Sequence, residues 1–481
     1  MEINPAVTFK HNRSVMYAKR PKVLIIGAGL GGLTLGMLLE KASIPFEIYE
    51  RASEVKPLGS AMYFNGTTAN LFKQCGFYDQ FVSISKFVST INVCDENRDI
   101  QYKIDFQGHD ELFGANGYII SRPKLYDLLY RQVPKERIHL GKKVLSMDQG
   151  GNGVLVRFSD GSEAEGGILV GADGAYSAVR QGLYAKMKKE KTLSTYDSLP
   201  LPFSTICLVG QTRPLTAEEF PDIALEESQF CKIVGDSRPY AWSTFTTQQG
   251  TVCWICVQYL TAETSKENDA FRNSEWGPEA AQTMATKVRD FPVVSGGDKK
   301  LTLGDLIDWT PKEFMSKVMQ EEKVFQTWYG CRTVLIGDAG GVGASNAMHD
   351  ALVLANLING LPFHPITSEI EAAFKAYQEE RFHWAKAAYE ASKVFRSMAG
   401  QTTTAKVVRF CVKNMPQWIF QQGQKRTTGY RPQCAFLPLV EDTGRVVPFP
   451  QPSLSVQGPK DVKSDSEGND EGVITAAPAV L

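Results

Sequence analysis

Apolar runs punctuated by glycine set the frame of this chain. Lys22-Val-Leu-Ile-Ile-Gly27 is a short unbroken apolar stretch of the kind buried on both faces in a parallel sheet. Leu33 to Lys41 reads as the helix that follows and Phe46 to Tyr49 as a second strand, so together they predict a βαβ unit. Helical and strand patterns alternate to about residue 185. From about 200 to 262 the texture turns β-rich: Phe203–Thr212, Gln229–Gly235, Tyr240–Thr246 and Thr251–Tyr259 read as an antiparallel sheet. Thr333–Ile336 is another buried strand, leading through glycines to a helix from about Ser345. Ser368-Glu-Ile-Glu371 has the form of a capping box opening a long helix to about Gly400, with Ile370, Phe374, Tyr377, Trp384 and Ala388 near one face. From Gln451 the chain is polar and rich in Pro, Ser, Gly and Asp, which predicts a disordered tail.

The first chemistry is in the turn after the first strand, Gly27-Ala28-Gly29-Leu30-Gly31-Gly32. Gly27 permits the tight turn, Gly29 lets the backbone approach a pyrophosphate, and Gly32 lets helix and strand pack closely. Free N–H groups at the helix N-terminus favour the phosphates' negative charge. Glu50 closes the second strand, where a carboxylate can accept both ribose hydroxyls of an adenosine. A dinucleotide is the expected ligand. The fold class is α/β, a discontinuous Rossmann-like nucleotide-binding domain with an inserted antiparallel β-sheet domain and a C-terminal helical segment. Its divisions are 21–190 and 326–400 for the nucleotide-binding parts, 191–325 for the β-rich substrate domain, 401–450 for the C-terminal segment and 451–481 for the tail.

Composition narrows the function classes. In 481 residues, 52 basic and 53 acidic side chains give a formal charge of −1, which offers no electrostatic reason to expect nucleic acid as partner. Apolar residues at 43% supply a sizeable core without disulfide or metal staples. Nine scattered cysteines fit a reducing compartment. Cys253 and Cys256, three apart in a strand-like run, point to opposite faces and read as packing. The six histidines show no ligand spacing, so no metal site is expected. The N-terminal residues lack the apolar core of a signal peptide, and glycines interrupt the longest apolar run, so a cytoplasmic protein without a transmembrane span is expected. The basic, aromatic stretch Lys406–Phe420 reads as packing against the body, with a membrane surface or a cap over the pocket as alternatives.

Three further segments carry a family resemblance. Gly171-Ala172-Asp173-Gly174-Ala175-Tyr176-Ser177-Ala178-Val179-Arg180 resembles the DG motif of the single-component, para-hydroxybenzoate hydroxylase-like flavoprotein monooxygenases. Val334-Leu335-Ile336-Gly337-Asp338-Ala339 resembles their GD motif, and Ser121-Arg122-Pro123 with Leu125 and Leu128 their arginine segment. Glu50-Arg51-Ala52, Glu322-Lys323-Val324-Phe325 with Thr327-Trp328-Tyr329, and Asn346-Ala347-Met348-His349-Asp350-Ala351 are most similar to the fungal FAD-dependent monooxygenases of secondary metabolism.

The resemblance implies FAD as cofactor, held by Gly27, Gly29, Gly32, Glu50, Arg51, Arg122, Asp173, Asp338, Gly343 and Ala344. Asp173 has a second reading, a structural aspartate capping the turn after it. The resemblance also implies NADPH or NADH as transient co-substrate, and O2 adding at flavin C4a to give a hydroperoxide that hydroxylates or epoxidises a small organic molecule. No nucleophile or base stands out. Arg238 and Tyr240, in or near the antiparallel sheet, are the weak catalytic candidates, with packing as their other reading. One departure concerns the GD motif: the family's histidine and proline after it have no counterpart, and the loop to Gly341-Val342-Gly343 is several residues short. The resemblance therefore leaves open a non-catalytic flavoprotein relative, or a flavin oxidase or dehydrogenase. The oligomeric state is not legible.

Overall fold

The computed structural model describes residues 20–54, 61–199, 203–260, 278–321, 323–340, 344–398 and 402–458. Its first sheet runs Tyr329–Gly330, Thr333–Leu335, Ile168–Gly171, Val23–Ile26, Phe46–Tyr49, Ile138–His139. Every pairing in it is parallel except the edge pair Tyr329–Gly330 with Thr333–Leu335. The apolar run at residues 23–26 is central because it has cover on both sides. Val23 and Ile25 join the core under the helices Leu30–Lys41 and Ala344–Asn359. Leu24 and Ile26 join a second core with Val154, Val156, Phe158, Val179 and Leu183. The expected βαβ unit is present, with its helix starting at Leu30, three residues before the expected Leu33.

The second large sheet has seven strands, in the order Ser316–Glu321, Phe203–Gln211, Val252–Tyr259, Tyr240–Thr246, Phe230–Val234, Thr90–Cys94, Ile100–Asp105. It includes the four β-runs expected from sequence. It also recruits Thr90–Cys94 and Ile100–Asp105, which lie inside the stretch assigned to the nucleotide-binding part, so this sheet is assembled from both sides of that boundary. Period-two alternation gives this sheet two unlike faces. The outer face presents Ile206, Leu208, Trp242, Trp254 and Cys256 to the helices Pro278–Lys287 and Leu303–Asp308 and is closed. Its two indoles are satisfied there, Trp242 Nε1 donating to Pro292 O at 2.7 Å and Trp254 Nε1 to Thr310 Oγ1 at 3.0 Å. On the inner face, Phe245 and Cys253 pack with Ala61 and Ile119 of a small three-stranded sheet beside the nucleotide-binding part. As expected, Cys253 and Cys256 fall on opposite faces.

Two expectations near the C-terminus are revised. The long helix is Thr367–Ser397, and Glu369, not Glu371, reaches back to its start, accepting from Ile366 N at 2.9 Å. Glu371 instead accepts from Cys331 N, so the box-like spelling is one turn feature read in the wrong register. The polar stretch from Gln451 is anchored over its first residues. Ser453 is buried, and its N–H donates to Glu380 Oε2 at 2.7 Å, while Gln451 exchanges hydrogen bonds with Gln433. A buried carboxylate in need of donors holds a segment whose composition alone reads as disordered. Residues 459–481 of that stretch lie outside the described residues.

Candidate active site

The three glycines of the first turn do different work. Gly27 has φ +106°, and a Cβ there would stand 2.4 Å from Ala172 O; at Gly32 it would stand 2.0 Å from Gly27 O. The fold itself forbids side chains at both. At Gly29 the backbone is extended, and no atom lies within 4 Å of an added Cβ. Gly29 faces open space, as a residue does when its missing side chain leaves room for a ligand. It is also the N-cap of Leu30–Lys41 and offers no side-chain cap, so the first helical N–H groups are left for an anion.

Glu50 is fixed beside this turn: Oε2 accepts from Ala28 N and Oε1 from Ala52 N, both at 2.9 Å. A carboxylate has about four acceptor sites, so two backbone bonds orient it and leave capacity for sugar hydroxyls. Next to it, electrostatically coupled to Glu50, the buried Tyr126 hydroxyl has no hydrogen-bond partner among the described residues. A bound nucleotide would supply one. Sequence reading missed Tyr126, whose only signal is its place four residues along the helix that Arg122 opens. Arg51 is exposed at the same strand end.

Beyond this turn, Arg122 and Asp338 are close enough for each to act on the other's charge. Both are reached by solvent, yet protein crowds both, which is the condition of a cleft wall. Loss of hydration pushes the Asp338 carboxyl up to about 6, against the pull of Arg122 and with a push from Asp350. The same loss lowers the Arg122 guanidinium, which Asp338 opposes. Arg122 follows the strand Tyr118–Ser121, whose Ile119 packs with Phe245 and Cys253 on the inner face of the seven-stranded sheet, so the arginine segment adjoins that face.

The short GD turn is held from three directions. Gly337 N donates to Asp350 Oδ2 at 3.0 Å, Ala339 O accepts from Arg180 Nη1 at 3.0 Å, and Gly340 O accepts from Phe325 N at 3.3 Å. Asp350 is itself paired with Arg381, Oδ1 to Nε at 2.8 Å, both fully buried. Asp350 and Arg381 were not singled out as site residues; their signal was a charged pair on two otherwise apolar helix faces. These bonds fix the turn that carries Asp338. Gly343 lies outside the described residues, and Ala344 opens the helix that runs to Asn359.

Asp173 takes the structural role that was its second reading. Oδ1 accepts from Ser177 Oγ at 2.5 Å and Oδ2 from Ala178 N at 2.7 Å, capping the helix Ala178–Lys189. Arg238 and Tyr240 are not brought to the cleft. Arg238 pairs with Glu96 and Asp290 and lies over the Phe291 ring, and Tyr240 meets the same ring edge-on at 5.1 Å. Tyr240 shares the helix-covered face with Trp242, because alternation put both on the side the helices close. The inner face instead carries Lys232, Ser243 and Ile255 in one cross-strand row, flanked by Val209 and Val257, all half-buried. Burial pushes the Lys232 ammonium down to about 8.

Among the described residues no group of His, Cys, Asp and Glu could hold a metal ion, and no helix is long and apolar enough to cross a membrane. The glycine turn, oriented Glu50, unpartnered Tyr126 hydroxyl and Arg122–Asp338 cleft fit a flavin dinucleotide.

Comparison with known proteins agrees. A family model described as an FAD binding domain matches residues 20–392. The FAD-dependent monooxygenase ausM of Penicillium brasilianum is 28% identical over 391 residues, covering 77% of this chain and 78% of that protein. The FAD-dependent monooxygenase paxM of Penicillium paxilli is 27% identical over 391 residues, covering 77% of each. Among solved structures, Klebsiella pneumoniae HpxO complexed with FAD and uric acid superposes with a TM-score of 0.65 at 18% identity, covering 85% of this chain and 96% of that one. With the family model spanning most of the chain and these relatives alongside it, the protein belongs to the FAD-binding-domain family that includes the fungal FAD-dependent monooxygenases.

Proposed function

We propose that this FAD-dependent monooxygenase uses NADPH or NADH and O2 to hydroxylate or epoxidise a lipophilic fungal secondary metabolite on the inner face of the seven-stranded sheet. The observation that carries the reading is the glycine turn, where Glu50 accepts from Ala28 N and Gly29 opens on space, together with the Arg122 segment, whose preceding strand packs on the inner face of the sheet. Bound FAD would supply electron transfer and oxygen activation. The chain's own residues do the rest. The helix N-terminus and Arg122 hold the diphosphate, Glu50 orients the adenosine ribose, and Asp338 accepts from the hydroxyls of the flavin's sugar chain. Val209, Ile255 and Val257 form an apolar floor that excludes water, and Lys232 with Ser243 is placed to hold one oxygen of the substrate.

Purified protein should carry a flavin absorbance band, oxidise NADPH faster with substrate present, and place label from ¹⁸O2 in the product. Label entering from water alone would overturn the reading. Hydrogen peroxide as the sole oxygen-derived product would assign an oxidase. The shortened loop after Asp338 favours a second reading, a non-catalytic relative, which a protein that binds FAD yet neither accepts electrons from NAD(P)H nor turns over would support.

A further inference from the structure

The helices Thr403–Lys413 and Gln417–Thr428 form an elbow with two apolar faces, and the body uses only one. Ala405 is buried, and Val408 and Val412 pack on Val93, Val234 and Met398 at the edge of the inner sheet face. On the other side Val407, Phe410, Met415, Trp418 and Ile419 stand in solvent, Phe410 at 68% exposure and Trp418 at 66%. They follow one another along the two helices and the turn at Asn414–Pro416, where Asn414 Nδ2 donates to Phe410 O at 2.8 Å and Ile419 N to Pro416 O at 3.0 Å. The expectation that this stretch packs against the body holds for half of it.

Charge says what covers the other half. The whole chain is nearly neutral, but between Glu390 and Glu441 there is no Asp or Glu at all. Lys406 and Lys413 are exposed along the border of the Val407–Phe410 stripe, and Arg426 is exposed on the Trp418–Ile419 face of the second helix. An apolar stripe with aromatic residues, on a segment whose own charges are all cationic, is complementary to an anionic lipid surface, with the apolar side chains at the headgroup–acyl boundary. A protein contact would leave the local absence of carboxylates unexplained.

We propose that this elbow seats the protein on anionic phospholipid membranes without spanning them. Because its inner side walls the sheet face that carries Lys232, the seat also sets the mouth of the cleft at the bilayer, where a lipophilic substrate concentrates; that last step rests on the function proposed above.

The test is co-sedimentation of the full, FAD-loaded chain with vesicles of phosphatidylcholine alone or with about 30% phosphatidylserine. The expected result is binding to the anionic vesicles that weakens with added salt. Lys406→Glu with Arg426→Glu should lower that affinity about twentyfold, and Phe410→Ser with Trp418→Ser should abolish it, each with unchanged flavin content. Equal binding to both vesicle types, no binding, or binding indifferent to these substitutions would overturn the proposal. So would a dimer in solution, broken by Phe410→Ser with Trp418→Ser, in protein that ignores vesicles. Vesicle binding by a protein that never turns over would sink the proposed function and leave the seat standing.

Discussion

The glycine turn and the GD turn are shaped by backbone constraints, whereas the two faces of the seven-stranded sheet are shaped by side chains. At Gly27 and Gly32 any side chain would collide with the chain's own carbonyls, Gly29 opens on empty space, and the GD turn is tied by its main-chain groups to Asp350, Arg180 and Phe325. The sheet offers two faces, one sealed by helices over Trp242 and Trp254, the other half-buried around Lys232 and Ser243. A site made by backbone tolerates almost no change. A site made by side chains can be respecified one residue at a time, which suits relatives that share a cofactor and differ in substrate.

The sharpest way to break that contrast is at the support of the GD turn. Asp350→Ala leaves the Arg381 guanidinium buried without its partner and Gly337 N without its acceptor. Chemical denaturation should show a loss of about 3–5 kcal/mol. A loss under 1 kcal/mol would mean that the turn is held by other contacts. Next is Gly32→Ala, whose methyl collides with Gly27 O; about 1–3 kcal/mol of destabilisation is expected from the same measurement.

On the sheet side the effects should appear in KM. Lys232→Met should keep FAD and raise KM at pH 7 roughly tenfold. Burial holds the Lys232 ammonium at about 8, so its charge is present below pH 8 and lost above it. The wild-type KM should therefore climb between pH 7 and 9, while that of Lys232→Met stays flat. Parallel profiles would remove Lys232 from the substrate floor. Smallest of all, Arg238→Ala and Tyr240→Phe on the sealed side should change kcat/KM less than about threefold, the range of surface and packing substitutions. A larger change would place the substrate on the wrong face in this account.

The same contrast explains what could be read in the sequence. Gly27, Gly29, Gly32 and Glu50 were legible because a strand, a tight turn and a helix N-terminus constrain residue type locally. Asp338 and Arg122 were singled out through motif resemblance, and in the structure each acts on the other's charge. Tyr240 was placed in the right strand at the right alternation, but period two does not say which face a distant pair of helices will cover. Lys232 was invisible for the same reason. The strands Thr90–Cys94 and Ile100–Asp105 joined the seven-stranded sheet through pairings far apart in sequence, which local pattern does not carry. Ser453 escaped because one buried carboxylate, Glu380, orders a segment that composition marks as tail.

The central claim is that FAD lies in the groove Gly29 opens. Gly29→Thr tests it most directly, because threonine suits an N-cap about as well as glycine, and the backbone there is extended. Titration of FAD into apoprotein, followed by flavin absorbance alongside the unfolding midpoint, should give about one equivalent bound by the wild type. In Gly29→Thr the affinity should fall about ten- to hundredfold at an unchanged midpoint. A wild type that refuses FAD, or a threonine variant that binds it as tightly, would contradict the account.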